Sequence, residues 1–519
     1  MIRRLEGATL RVLRFADSAF NRLYTWRYNP LYQSGTIAVA MLAVLIITGV
    51  WLLLFYRIGA PWASVDAITG NLWTGNWVRG VHRYASDVAL IAAVIHLFRM
   101  FGQGRAWGPR AIAWISGGVL LAVLLVSAWT GFVMVWDTFG YQLAVAGGRM
   151  IDALPFFSEP VGRIFVGERP VPSAFFFLNL FLHVALPLGM GLILWIHVSR
   201  IARPTLLPPK VLLWGSIALC TLIAVVWPLQ MAPEADPFHL PSTVPADWWF
   251  GFWLPVTARV QEWFLWVVIA VVVALFLLAP KFSRPVPGDR APSTVDKQLC
   301  TECGQCVVDC PYEAITLVER DDDRPSLVAQ VDPTRCVSCG ICAGSCSPMG
   351  IGPPTRTGRN QLERTRAFMR THETSSGKVV VLGCRYGAGA FSDRIVAAGA
   401  DFQEMDCAGN LHSSVVEFLI RGGAGGVLVL SCPPRDCRNR EGPGWSTQRL
   451  YHGREAELKP RVDRDYLRVA YAGAGDIREG LRALRDFQNH LAAMEPLEAD
   501  PDLEIETLCE PVVLEEGRV

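Results

Sequence analysis

"HRYASDVALIAAVIH", residues 82–96, is an apolar run with a histidine at each end. Fourteen residues at about 100° each turn an α-helix through about 1400°, some 40° short of four turns, and rise about 21 Å. Both imidazoles therefore leave nearly one face of the helix, at two depths. A second run, "HVALPLGMGLILWIH" (183–197), repeats the spacing. A lone histidine in a membrane helix is commonly hydrogen-bonded to a neighbouring helix. Four in two equal pairs read instead as two stacked bis-histidine sites, because unpaired ionisable groups are costly in hydrocarbon and coordination of iron by neutral imidazoles removes that cost. His82 pairs with His183 near the outer face, and His96 with His197 near the inner face. A large planar cofactor such as haem fits between helices whose backbones approach closely. Gly35 with Gly49 and Gly117 with Gly131, also fourteen apart, supply that approach.

The surrounding chain is consistent with a membrane setting. It has 519 residues, 51% of them hydrophobic, a mean hydropathy of +0.30, and room for about three domains. Apolar stretches of about 20 residues crowd the region before Pro280, and charged residues and turn formers dominate after it. Six spans can be drawn: Gly35–Tyr56, Ala85–Met100, Ala111–Trp136, Ala174–His197, Val211–Trp227 and Trp263–Leu278. Arginines precede the first span (Arg3, Arg4, Arg11, Arg14, Arg22, Arg27), and Arg99, Arg105, Arg110, Arg200, Arg203 and Lys210 follow the second and fourth. The positive-inside rule places these segments in the cytoplasm, and six spans return the chain there after Lys281. The basic start, residues 1–34, is too long and polar for a secretory signal. Net charge is +1, and no basic cluster interleaved with aromatics points to nucleic acid.

Residues 20–280 resemble the cytochrome b of quinol-oxidising respiratory and photosynthetic complexes. The resemblance rests on the histidine and glycine pairs, on Arg79 three before His82, and on "GRIFVGERPVPSAFFFLNLFLHVALPL" leading into the fourth span. It implies two b haems, a quinone site, Arg79 as a haem-propionate partner, and a homodimer of the membrane domain. "PADWWF" (245–250) resembles the family's Pro-Glu-Trp-Tyr quinol motif, with Ala246 inserted, Asp247 for Glu and Trp249 for Tyr. Asp247 is the candidate proton-exchanging group and Trp248 a candidate quinone contact; an aromatic belt with a solvated Asp is the simpler alternative. The family's Pro-Trp after the third span is reduced to Trp136 alone.

Of fourteen cysteines, the twelve between Cys300 and Cys437 fall in short regular spacings, which argues for metal or cluster ligation over disulfides in so long a chain. "CTECGQCVVDCP" (300–311) and "CVSCGICAGSCSP" (336–348) follow the C-x2-C-x2-C-x3-C run of bacterial ferredoxins, the second with Ser347 before its proline. In that fold the fourth cysteine serves the opposite cluster. One 4Fe-4S cluster then takes Cys300, Cys303, Cys306 and Cys346, and the other takes Cys336, Cys339, Cys342 and Cys310. Four-cysteine zinc sites seldom use two interlocked runs.

Farther on, "KVVVLG", "DFQEMD", "GVLVLS" and "LRVAYA" read as strands alternating with helices such as "LHSSVVEFLIRGG", an α/β layer with a parallel sheet. Cys384, Cys407 and Cys432 stand at strand ends and Cys437 follows by five, so four thiolates gather at the crest where such folds bind ligands. A 2Fe-2S cluster is the expectation; zinc, or a thiol-disulfide pair of Cys432 with Cys437, are the alternatives. Residues 377–495 are similar to the iron-sulfur delta subunit of methyl-viologen-reducing hydrogenase, through "GCRYGAG", "CAGN", "SCPPRDC" and "NREGPGW". That similarity implies docking with a separate cytoplasmic flavoprotein or dehydrogenase. Cys220 and Cys509 read as unpaired bystanders.

The expected organisation is a basic segment (1–34), a six-span α-helical membrane bundle (35–280), a linker (281–296), a ferredoxin-like α+β domain (297–355), a linker (356–376), an α/β iron-sulfur domain (377–495) and an acidic tail (496–519). No nucleophile, phosphate loop or dinucleotide fingerprint is present. The expected role is a multi-pass subunit of a bacterial or archaeal cytoplasmic membrane that passes electrons from a cytoplasmic partner to quinone. Reverse flow from quinol, a redox-sensing or anchoring module, and a hydrogenase's own membrane anchor are the competing roles.

Overall fold

The structure is a computed structural model, and it describes residues 2–156, 159–165, 170–199, 201–236, 247–283, 291–322, 324–372 and 377–500. It divides into two compact units, residues 1–16 with 22–284, and 17–21 with 285–519.

The first unit is built from helices: α1 (Ile2–Tyr28), α2 (Ser34–Leu53), α3 (Pro61–Gly70), α4 (Gly75–Gly102), α5 (Ala111–Val135), α6 (Thr138–Asp152), α7 (Ser173–Val198), α8 (Lys210–Val226), α9 (Leu254–Thr257) and α10 (Glu262–Phe282). Among the described residues, five helical segments are long and apolar enough to cross a membrane: α2, α4, Gly108–Val135, α7 and α10. The fifth expected span, α8, is a 17-residue apolar helix. Prolines bound it, with Pro209 at its N-cap and Pro228 after Trp227, and proline both starts and stops helices well. The second span is longer than hydropathy suggested, because α4 begins at Gly75 and continues through polar residues, placing His82 well inside it. Helix α2 packs on α4, and α5 on α7. The first of these seams is made of small and slender residues, Ala40 and Met41 of α2 meeting Ala85, Ala89 and Ala92 of α4. The outward faces of α7 and α10 carry exposed Leu188 and Leu192, and Val271 and Val272, as expected of surfaces that meet lipid.

In the second unit, residues 291–352 form two two-stranded antiparallel sheets, β1 (Thr294–Val295) with β4 (Ile351–Gly352) and β2 (Ile315–Val318) with β3 (Val328–Val331). Two five-residue helices accompany them, α11 (Gln305–Asp309) and α12 (Ile341–Ser345). Each starts after a glycine in the left-handed region, Gly304 at φ +69° and Gly340 at φ +76°, which explains a glycine between the second and third cysteines of both motifs.

The polar stretch expected as a linker at 356–376 carries a helix, α13 (Gly358–His372), whose Thr365 and Met369 are buried and which packs on α15 (Ser413–Arg421). Four strands follow, β5 (Val379–Cys384), β6 (Asp401–Met405), β7 (Gly426–Ser431) and β8 (Leu467–Tyr471), in the four segments expected. All pair in parallel in the order β6-β5-β7-β8. Helices α14 (Ser392–Ala397), α15 and α16 (Gly442–Tyr451) occupy the crossovers, and α17 (Ile477–Leu491) closes the layer. Strands β5 and β7 are buried at every position, the pattern of central parallel strands covered on both faces. The acidic tail beyond Asp500, with Cys509, lies outside the described residues, as does Pro245 of "PADWWF".

Candidate redox centres

The ring centroids of His82 and His183 lie 6.3 Å apart, and those of His96 and His197 lie 6.5 Å apart. Two metal–imidazole bonds of about 2 Å, plus half of each ring, span a gap of that size. The structure thus brings together the pairs suggested by the spacing of fourteen. Each ring passes close to a glycine of the neighbouring helix. A Cβ on Gly35 would stand 2.8 Å from the His96 ring and one on Gly131 2.9 Å from that of His183; for Gly49 and His82 the distance is 3.2 Å, and for Gly117 and His197 3.1 Å.

The hydroxyl residue before each glycine adds a second element. Thr48, Ser116 and Thr130 place their oxygens 2.9, 3.1 and 3.0 Å from Nδ1 of His82, His197 and His183. Each hydroxyl spends its own proton on a carbonyl of its own helix: Val44, Ile112 and Ser127 respectively. The oxygen can therefore only accept from the imidazole, which puts the proton on Nδ1. His183 Nδ1 also lies 2.9 Å from the Ser127 carbonyl, which can only accept, and the carbonyls of Leu45 and Ala113 stand near the His82 and His197 rings. Each of these carbonyls precedes its glycine by four residues, the position that a missing Cβ uncovers. Nε2 is left as the lone-pair nitrogen, the form a metal requires. Ser34, before Gly35, lies in the first turn of α2, where no preceding helical carbonyl exists, and its buried Oγ has no hydrogen-bond partner among the described residues. These residues fit a bis-imidazole iron at both depths.

In the second unit the cysteines of the two motifs interlock. Burial pushes the Cys306 thiol up to about 12, and Cys346, Cys303 and Cys300 add to the shift. Cys339 is pushed far upward by burial and then by Cys342, Cys310 and Cys336. Sulfurs that repel as thiolates in these two sets would share the charge of a cationic cluster core. Backbone N–H groups already aim at the fourth cysteines, Ala314 at Cys310 Sγ and Gly350 at Cys346 Sγ, both at 3.3 Å. A recess lined by Val295, Cys300, Cys303, Cys306, Leu317 and Cys346 adjoins the first set. The donor sets and their surroundings fit 4Fe-4S clusters.

At the sheet crest, Cys384 ends β5, Cys432 follows β7 directly, and Cys407 stands two residues after β6. Strands β5 and β7 are neighbours from which the chain runs outward in opposite directions, so their carboxyl ends flank the switch point of the sheet. Cys384 and Cys432 have their sulfurs 3.2 Å apart there. Cys437 donates to Cys407, and Asn439 and the backbone N–H groups of Gly409 and Asn410 also converge on Cys407, holding its thiol below the usual range. Cys432 is shifted upward by Cys384 and by burial, and it faces Cys437 as well. The closest sulfurs are thus 384 with 432 and 407 with 437, rather than the Cys432–Cys437 pair that a thiol-disulfide site would use. Four buried thiols in two facing pairs fit a small cluster.

Residues 21–204 match the family model for cytochrome b/b6/petB. Residues 299–350 match the 4Fe-4S dicluster domain, and residues 379–495 match the methyl-viologen-reducing hydrogenase, delta subunit, so the three families stand in the order that the motifs implied. A cytochrome b of Sulfolobus acidocaldarius is 31% identical over 142 residues, which are 27% of this chain and 25% of that protein. This chain therefore spans a quarter of the length of that relative. Among solved structures, a chain titled hyperthermophilic respiratory Complex III aligns with a TM-score of 0.40 and 19% identity, over 48% of this chain and 75% of that one.

Within the cytochrome b-like unit, the remaining candidates have definite partners. Arg79 donates to Thr69 Oγ1 at 3.0 Å and to the Leu229 carbonyl at 3.5 Å. Asp247 caps its own turn, accepting from the N–H groups of Trp249 and Phe250 at 3.0 and 2.7 Å. Its second oxygen is ion-paired with Arg83, which also holds Asp87. Trp248 is 82% exposed. Sequence reasoning missed Arg83, Asp87, the four hydroxyls before the glycines, and Arg99. Arg99 stands three after His96 as Arg79 stands three before His82, and its buried guanidinium lies 4.6 Å above the Tyr32 ring. The signals were present as Ser-Gly and Thr-Gly dipeptides at 34, 48, 116 and 130, and as arginines bracketing the histidine pair.

Proposed function

We propose that this chain is a membrane electron-transfer subunit that carries electrons from a cytoplasmic dehydrogenase or flavoprotein to membrane quinone. The bound groups supply one-electron steps: one 2Fe-2S centre on Cys384, Cys407, Cys432 and Cys437, two 4Fe-4S clusters on the interlocked sets, and two b haems on His82 with His183 and His96 with His197. The observation that carries this reading is the pair of opposed imidazoles at two depths, with Nδ1 spent on a hydroxyl at three of the four positions, joined by a carbonyl at His183, and Nε2 left to bind metal. The delta-subunit match supports a cytoplasmic redox partner for the crest, and the basic segments on one side of the helices support a cytoplasmic second unit.

Each quinone takes two electrons and two protons. Asp247, held by Arg83 beside Asp87, is the group assigned to exchange those protons at the outer face. The reading assigns Arg79 and Arg99 to neutralise propionates at the outer and inner haem. Outward transfer moves electrons with the membrane potential, a contribution of about 2.3 kcal/mol per charge per 100 mV.

The test uses the full chain in sealed vesicles with reduced methyl viologen outside the cytoplasmic unit and a quinone analogue in the bilayer. Quinone reduction is expected, with haem reduction and reoxidation keeping pace with turnover, and collapse of an imposed potential should slow it. Haems that never change redox state during turnover would overturn transfer in favour of sensing or anchoring, and a rate indifferent to the potential would overturn the outward direction.

A further inference from the structure

One fully buried cation in the second unit has no part in the scheme above. Arg449, on α16, is 1% exposed. Its Nη2 donates to the Gly409 carbonyl at 2.7 Å, two residues after Cys407; its Nη1 donates to Ser345 Oγ at 2.8 Å, between Cys342 and Cys346. The cation therefore ties the loop of the crest site to the helix of the second cysteine motif. Ser345 passes its own proton to Asp309 at 2.6 Å, and Arg454 holds the other oxygen of Asp309 at 2.7 Å. Asp309 is wholly buried and adjoins Cys310.

The backbones meet at the same place. A Cβ on Gly344 would lie 2.6 Å from the Gly409 carbonyl oxygen and 2.7 Å from the Arg449 guanidinium. A Cβ on Gly442 would lie 2.9 Å from Cys407 Sγ. Asn410 adds a bond across the seam to the Gly340 carbonyl at 2.9 Å. Gly344 stands two residues from both Cys342 and Cys346, but the neighbouring contacts favour the second set: Asn410 reaches Gly340, next to Cys339, and a Cβ on Gly409 would lie 2.9 Å from the side chain of Ile341, next to Cys342. Burial lowers the Arg449 guanidinium to about 10, while Asp309, Cys407 and Cys342 pull it back up, so it senses one cysteine from each set.

Resting on the reading that both cysteine sets hold clusters, we propose that Arg449 is the positioning residue for electron exchange between the crest centre and the cluster of Cys336, Cys339, Cys342 and Cys310, which makes that cluster the one in direct exchange with the crest. The cluster of Cys300, Cys303, Cys306 and Cys346 then comes second. A fixed positive charge between two centres stabilises the reduced, more negative form of each, so it raises both reduction potentials. Each transfer moves one electron, oxidising one cluster and reducing the other, with no proton taken from Arg449.

The test is a redox titration of the full chain followed by electron paramagnetic resonance. Arg449→Gln should lower the potentials of the crest signal and of one 4Fe-4S signal, leave the other 4Fe-4S signal and both haems in place, and slow haem reduction by a crest-side donor. Arg449→Lys should restore part of the shift. The 4Fe-4S signal that moves should be the one abolished by Cys339→Ser. In the unsubstituted chain, spin coupling between the crest signal and a 4Fe-4S signal should disappear in Cys339→Ser and survive in Cys303→Ser, a comparison that holds even if Arg449→Gln fails to fold. Coupling lost only in Cys303→Ser, or unmoved potentials in Arg449→Gln, would overturn the inference. A native chain lacking the crest signal or either 4Fe-4S signal would instead overturn the reading on which it rests.

Discussion

The two units hold their candidate ligands by opposite means. In the membrane unit each histidine pair lies on two long helices, and the partner helices contribute a missing Cβ and a hydroxyl. At the sheet crest four cysteines come from three strand ends and a loop, and each is positioned by a different stretch of backbone. A helix acts as a ruler, so one interval of fourteen encodes ligand and clearance together. A parallel sheet gathers its strand ends only after it has formed, so the crest is encoded by topology rather than by interval.

The sharpest way to test this contrast is to remove one ligand from each region. His82→Ala should abolish the outer b-type absorbance while leaving the inner haem and all iron-sulfur signals, because the second haem site is built on separate turns of the same helices. Cys384→Ser should abolish the crest signal and loosen the sheet around it, since Cys384 also belongs to the buried core there. Optical and paramagnetic spectra of the two purified variants check both outcomes. A His82→Ala chain that loses both haems would mean that the two depths assemble as one.

A smaller effect is expected from clearance alone. Gly131→Ala puts a methyl 2.9 Å from the His183 ring, and since the ring is held on Ser127 and Thr130 it cannot retreat without losing those bonds. Overpacking of this kind costs about 1–3 kcal/mol. The variant should bind the outer haem more weakly, seen as haem lost on dilution or washing, with the inner haem unaffected.

What the sequence made legible follows from the same contrast. The histidine and glycine intervals, the two cysteine runs and the four strands all lie in single stretches where local geometry fixes the spacing; the strands form in the expected segments and the imidazoles face one another. Helix α13 was hidden because its stretch is mostly polar; its inner side is marked by Gln361, Leu362, Thr365, Phe368 and Met369, two of them polar. Helix α8, by contrast, was legible: at Lys210–Val226 it is displaced by one residue from the span drawn at Val211–Trp227. Arg449 could not be found at all, because its partners Ser345 and Gly409 lie 104 and 40 residues away. The Asp247–Arg83 pair spans 164 residues and was equally hidden.

Next in size is removal of a hydroxyl. Thr48→Val keeps the shape at His82 and deletes the oxygen that accepts from Nδ1, leaving the Leu45 carbonyl as the remaining acceptor. Outer-shell losses at metal sites cost roughly 10–100-fold in affinity, and the surviving carbonyl places this one at the lower end. Haem retention measured against the native chain, with a shift of the outer haem potential, checks it. An unchanged potential would mean that the carbonyl alone orients the ring.

A further histidine, buried in the second unit, marks the limit of the contrast. His412 Nδ1 accepts from the Ser414 N–H at 3.2 Å at the start of α15, so Nε2 carries the proton and donates to the Cys346 carbonyl at 3.1 Å. Burial, with Arg449 nearby, lowers it to about 4 and keeps it in that neutral form. It is the mirror case of His183: there Nδ1 is the donor and Nε2 is open, whereas at His412 both nitrogens are spent on backbone and none is left for iron, although Cys346, a candidate cluster ligand, is its neighbour in space. His412→Gln should therefore cost about 1 kcal/mol through the weakened cap and hydrogen bond, read as a lower urea midpoint. The count of iron-sulfur signals should not change. Loss of a 4Fe-4S signal in this variant would show that proximity, rather than the free nitrogen, decides which histidines serve metal in this chain.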